Sequence, residues 1–128
     1  MNMNEDYVSL EVAKLLKEKG FDWFCNNKQY LVIERVLDSL NPLNSLEFKI
    51  YSKPRLFIAQ EWLRKEKGIY VWVEPVVGDK WTVSFCDLNV SAEESDWIGR
   101  ELHKDGYPIY NTFEKALQTG ILEALKLI

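Results

Sequence analysis

The sequence is short of the residues that most site chemistry needs: it holds one histidine, two cysteines and no run of 18 consecutive apolar residues. The lone His103 lies in an acidic stretch between Leu102 and Lys104. Catalytic histidine needs a positioned partner, and metal sites usually gather several nitrogen, sulfur or carboxylate ligands. His103 therefore reads as a surface residue. Cys25 and Cys86 are far apart and match no metal or redox spacing. A disulfide between them stays open on sequence alone, but two buried, reduced thiols are the economical expectation. The missing apolar run excludes a membrane-spanning helix. Met1 to Tyr7 is polar and acidic, unlike the basic, then apolar start of a signal peptide. A cytoplasmic protein is expected.

Other absences narrow the function classes. There is no phosphate-cradling glycine loop, no zinc spacing and no nucleophile elbow around a serine. Carboxylates are plentiful, yet no pair stands out for acid–base work, which depends on burial and separation. No catalytic, cofactor-binding or metal-ligating residue is assigned, and no small-molecule ligand is inferred. The sequence speaks against an enzyme.

What is present describes a fold. The 128 residues are 47% hydrophobic and 28% charged, ordinary composition for one globular domain spanning 1–128. Such a chain buries about two thirds of the surface of its unfolded form. Aromatics reach 13%, enough to fill much of a core and leave some for a surface. The net charge of −4 speaks against a general nucleic-acid binder. Charge is nonetheless uneven. Residues 87–105 hold six acids against Arg100 and Lys104, and residues 53–67 hold Lys53, Arg55, Arg64, Lys65 and Lys67 against two acids. Two solvated faces account for this, and so does electrostatic steering of a partner.

Punctuation marks three helices. Ser9 is a natural N-cap, Val12, Leu15 and Leu16 share a face, and Gly20 stops the first helix. Pro54 suits the first turn of the second, whose stripe is Leu56, Ala59, Trp62 and Leu63, with Gly68 closing it. Both helices end in Lys-Glu-Lys-Gly (17–20 and 65–68), a shared capping solution or the trace of a duplication. The third starts near Asn111, with Glu114 placed to complete a capping box. Gly120 lies on its apolar stripe, which suggests close packing rather than a break.

Between the last two helices, 69–77 and 81–88 read as a hairpin around Gly78-Asp79. A three-residue loop, 78–80, keeps Val71, Val73 and Pro75 on one face with Trp81, Val83 and Phe85. The other face carries Tyr70, Trp72, Glu74, Thr82, Ser84 and Cys86. Tyr30 to Val36 reads as a strand, although Ile33, Val36, Leu37 and Leu40 also fit helical spacing. Leu46, Phe48 and Ile50 alternate like a strand, after a turn-rich break at Asn41-Pro42 and Asn44-Ser45. Mostly loop is expected over 89–108, with Ser91 and Glu94 spaced to cap a short helix. The expected fold is α+β, three helices on a small, mainly antiparallel sheet in the order α-β-β-α-β-β-α.

Among surfaces, Tyr70 and Trp72 beside Glu74, Thr82 and Ser84 form an aromatic patch of the kind that anchors protein interfaces. The competing expectation is that a helix or the 87–105 segment covers it. The expected function is a non-enzymatic protein-binding or accessory domain, acting on another protein or on itself. The alternative is a weak nucleic-acid binder using the 53–67 bases. Helix, strands and helix over 54–128 look like a double-stranded RNA-binding domain, but the last helix opens Asn-Thr-Phe-Glu-Lys (111–115), without the basic grip such modules use.

Three stretches carry a resemblance. They are 7–22 (Tyr-Val-Ser-Leu-Glu-Val-Ala-Lys-Leu-Leu-Lys-Glu-Lys-Gly-Phe-Asp), Pro54 with Trp62-Leu63-Arg64 and Ile69, and 110–116 with 120–128. Together the chain resembles a family of small uncharacterised proteins of gut bacteria and their phages or mobile elements. Phe24 stands where that family has proline, and 26–44 lies outside the resemblance. The family brings no activity, cofactor or site residue; it implies an accessory protein of a mobile element.

Overall fold

In the computed structural model the described residues are 6–25, 28–38, 41–91 and 108–128. Helix α1 (Leu10–Glu18) is followed by strands β1 (Gln29–Asp38) and β2 (Asn41–Ser52), helix α2 (Leu56–Trp62), strands β3 (Ile69–Val76) and β4 (Lys80–Asp87), and helix α3 (Phe113–Lys126). This is the α+β order expected, with the four strands divided into two antiparallel hairpins, β1–β2 and β3–β4.

The helix ends follow from local chemistry. The Ser9 hydroxyl accepts the Val12 amide proton at 3.2 Å and starts α1. At its far end Gly20 takes φ +98°. The second Lys-Glu-Lys-Gly ends differently: 63–67 widens into a π-helical turn before Gly68 turns left-handed at φ +68°. Asn89 then donates to the Lys67 carbonyl at 2.8 Å, satisfying a group that the helix end leaves free. Both glycines share a left-handed conformation, so capping alone accounts for the repeated tetrapeptide.

Two starts move by one residue or so. Arg55, extended at φ −66° and ψ 153°, is the N-cap of α2, which leaves Pro54 just outside the first turn. Thr112, not Asn111, caps α3 by accepting from the Lys115 amide at 3.0 Å, so Glu114 is not the capping-box residue. Asn111 is engaged elsewhere, its side-chain oxygen accepting from the Lys80 ammonium.

Helix α3 packs against β3, β4, α1 and α2. Its Ala116, Leu117, Ile121, Ala124 and Leu125 are buried with Val12 and Leu16 of α1, Ala59 and Trp62 of α2, and Val71 and Val83 of the second hairpin. Gly120 makes this approach possible. A Cβ there would lie 2.4 Å from Val83 Cγ2 and 2.9 Å from Val71 Cγ1.

In β3–β4, Val76 pairs with Lys80, Val73 with Val83 and Tyr70 with Cys86. The loop is three residues long, as expected, but it is 77–79 rather than 78–80. That shift moves the register by two, so each side chain keeps its expected face. At the edge of β4, Tyr110 exchanges backbone hydrogen bonds with Trp81 at 2.7 and 2.9 Å.

The first hairpin pairs Leu31 with Ile50 and Ile33 with Phe48. The expected break at 41–45 is instead the first part of β2. The expected capping pair at Ser91 and Glu94, and His103, involve positions in 92–107, outside the described residues.

Candidate functional site

The side of β1–β2 turned toward the rest of the protein is held by few apolar groups. Tyr30 donates its hydroxyl proton to the Val8 carbonyl at 2.8 Å. Burial holds that hydroxyl above the usual tyrosine range, so it stays a donor at neutral pH. Tyr51 is buried, with the Lys17 ammonium 5.0 Å from its ring centre, and the same ammonium donates to the Ile50 carbonyl at 3.2 Å. Val32, on the same side, packs against the core, and charged groups complete that side. Glu34 reaches Lys49 at 3.4 Å and Lys14 of α1 at 3.9 Å, and it raises the Lys49 ammonium above its ordinary value.

The outer side is apolar. Leu31 and Ile33 of β1 and Leu46, Phe48 and Ile50 of β2 are between 52% and 63% exposed. Cross-strand pairing lays Leu31 against Ile50 and Ile33 against Phe48, so they form one continuous face. The hairpin thus turns Tyr30, Val32, Tyr51 and its ion pairs toward the protein and five large apolar side chains toward solvent. A continuous apolar face on a soluble surface marks an interaction site far better than scattered apolar residues do.

The sequence singled out the other hairpin. The structure does bring Tyr70, Trp72, Glu74, Thr82 and Ser84 onto one face, since Trp72 pairs with Ser84 and Glu74 with Thr82. Tyr70 is 40% exposed and stacks on Trp72 with ring centres 5.6 Å apart. The Trp72 indole donates to Glu74 at 2.6 Å. Thr82 is buried and donates to the Pro108 carbonyl at 2.9 Å, so it offers nothing to a partner. Ser84 and Cys86 are half-buried. This patch reduces to two stacked rings and a carboxylate.

Sequence reasoning passed over the first hairpin, but a signal was there. Tyr30-Leu31-Val32-Ile33 is apolar on both faces of a strand. A strand of that kind needs a cover on each side, and three helices serving four strands cannot supply it everywhere.

The bases of 53–67 also separate. Lys53 and Arg55 line a cavity of 160 Å³ with Tyr7, Phe24, Lys28 and Phe57. Arg64, Lys65 and Lys67 sit on the π-helical turn, where Lys65 pairs with Glu61 at 2.8 Å. That ammonium holds the Glu61 carboxyl below its ordinary value. Cys25, at the same cavity, is a free thiol raised above its usual value chiefly by burial. A groove of 290 Å³ joins the starts of α1 and α3, but Glu11 and Glu114 already place a carboxylate in each first turn. Among the described residues no three His, Cys, Asp or Glu side chains gather as metal ligands would.

No family model, curated protein or solved structure matches this chain. The functional reading therefore rests on the geometry.

Proposed function

We propose that this chain is a non-enzymatic protein-binding module whose working surface is the outer face of the β1–β2 hairpin. The observation that carries it is the row of five large apolar side chains that the hairpin turns toward solvent. Each of the five still has about half its surface to bury, about 1 kcal/mol apiece. A lone monomer gains nothing from this arrangement; a docked one does.

The occupant we assign is the same face of a second copy. Two such hairpins stack as two layers about 10 Å apart, the ordinary spacing of packed sheets. The five apolar side chains present no donor or acceptor that a partner must match, so the same row of a second copy can face them, with Arg35, opposite Leu46 in the register, at one end. A cytoplasmic location and, from the sequence resemblance, an accessory role in a mobile element belong to the same proposal. No described helix is long and apolar enough to cross a membrane.

Light scattering and sedimentation equilibrium test it. Wild type is expected to form a dimer that dissociates on dilution. Ile33→Lys with Phe48→Glu is expected to be monomeric with an unchanged circular dichroism spectrum, since both positions are exposed and the opposite charges face each other across the strands. A wild type still monomeric at about 1 mM, where an association of only about −4 kcal/mol is half complete, overturns the proposal. So does a double variant that dimerises like wild type.

A further inference from the structure

At the open end of the first hairpin, Lys28 enters β1 directly opposite Lys53, which leaves β2; the Lys53 amide donates to the Lys28 carbonyl at 2.9 Å. Like charges facing each other across a strand pair repel. Arg55 adds a third cation. All three reach one ring: the Lys28, Lys53 and Arg55 head groups lie 5.8, 5.5 and 5.1 Å from the centre of Tyr7. Tyrosine faces attract cations but leave their charge in place. Asp6 answers Arg55 at 3.8 Å, while no described carboxylate pairs with Lys28 or Lys53. The site is thus built with positive charge in excess, although the chain as a whole carries −4.

The same cavity is flanked by two phenylalanines that a folding core would have taken in. Phe24 is 82% exposed and Phe57 is 56% exposed. Converging cations hold phosphate oxygens, and exposed flat rings hold an unstacked base. An inorganic anion would leave both rings unused, and a purely apolar ligand would leave the cations unanswered. Duplex nucleic acid keeps its bases stacked away from such rings.

We propose that this cavity binds a nucleotide unit, its phosphate held by Lys28, Lys53 and Arg55 and its base laid on Phe24 or Phe57, as presented by single-stranded nucleic acid. The surface is distinct from the outer face of the hairpin and does not depend on self-association.

Fluorescence anisotropy of a labelled single-stranded oligonucleotide, titrated with the full chain, is the test. Log affinity is expected to fall against log salt with a slope of about −0.7, as one phosphate neutralised on a single strand requires. Lys28→Gln with Lys53→Gln should flatten that slope and weaken binding about tenfold or more. Phe24→Ala with Phe57→Ala should weaken binding about tenfold with the slope unchanged, and Phe24→Trp with Phe57→Trp should retain it. The altered positions are exposed or half-buried, so circular dichroism should match wild type throughout. A free mononucleotide that competes as well as the strand assigns the site to small nucleotides; a strand that binds far more tightly assigns it to nucleic acid. The proposal is overturned by salt-insensitive binding, by variants that bind like wild type, or by inorganic phosphate or anionic lipid vesicles displacing the strand as well as a nucleotide does.

Discussion

Truncating Trp62 to alanine is expected to remove about 3–5 kcal/mol of folding stability, the usual cost of deleting a large buried aromatic. Trp62 is 2% exposed at the last residue of α2, where the helix passes into the π-helical turn. Its ring meets Phe21 edge-on with centres 5.5 Å apart, tying the segment after α1 to α2. On the other side the Lys67 ammonium lies 5.5 Å from the ring centre. Alanine would therefore open a cavity at the end of α2 and leave Phe21 with Trp23 as its ring neighbour. Domains of this size are stable by about 5–15 kcal/mol, so the loss is a large fraction of the whole. Urea denaturation should show the midpoint falling with the slope unchanged. Trp62→Phe, which keeps a ring, should lose less. A cost below about 1 kcal/mol for alanine would show that Trp62 does not hold α1 and α2 together.

Gly120→Ala is expected to destabilise by about 1–2 kcal/mol, against the helix propensity that favours alanine by about 1 kcal/mol. The added methyl would stand 2.4 and 2.9 Å from methyl groups of Val83 and Val71, where carbons normally meet at about 3.5–4.0 Å. Valine is stiff at its first torsion and cannot swing aside, so α3 would have to lift from the sheet. Removing the obstacle should reverse the sign. In a Val83→Ala background, Gly120→Ala should cost much less or stabilise, and the difference measures the contact directly. If Gly120→Ala alone raised the melting temperature, the close approach of α3 to β3–β4 would be wrong.

The parts of the fold legible in the sequence are those set locally. Ser9 caps α1, Gly20 and Gly68 end helices, and the alternation of β3–β4 fixed its two faces even though the loop lay one residue earlier. Gly120 could be read as a packing position because the apolar stripe runs through it on both sides. The first hairpin could not be read as far. Alternation separates Leu31 and Ile33 from Tyr30 and Val32, but it does not say which side has a helix over it. That depends on where α1 comes to rest. The cavity around Tyr7 was hidden for a related reason: Lys28 is brought to Lys53 only by β1–β2 pairing, while the run 53–67 suggested a single basic surface that the turn of α2 takes apart. The π-helical turn left no mark either, since Leu63 fits the apolar stripe of an ordinary helix.

The separation of the strands into two hairpins also decides how the molecule opens. β3–β4 has α3 across its inner face and Tyr110 along one edge, so its amides are released only when the core itself comes apart. β1–β2 makes its own hydrogen bonds and is fastened by Tyr30 on Val8, by Val32 against the core, by Tyr51 under Lys17 and by Lys14 and Lys17 of α1. Those fastenings can let go while the helices and the second hairpin stay folded, which makes the first hairpin a separate opening unit with a lower free energy than global unfolding. An occupant of its outer face that binds only the docked hairpin lowers the population of the opened form by a factor of one plus the ratio of its free concentration to its Kd. The hairpin then works as a latch: occupancy on the outside is felt as tightness where Tyr30 and Tyr51 meet the rest of the protein.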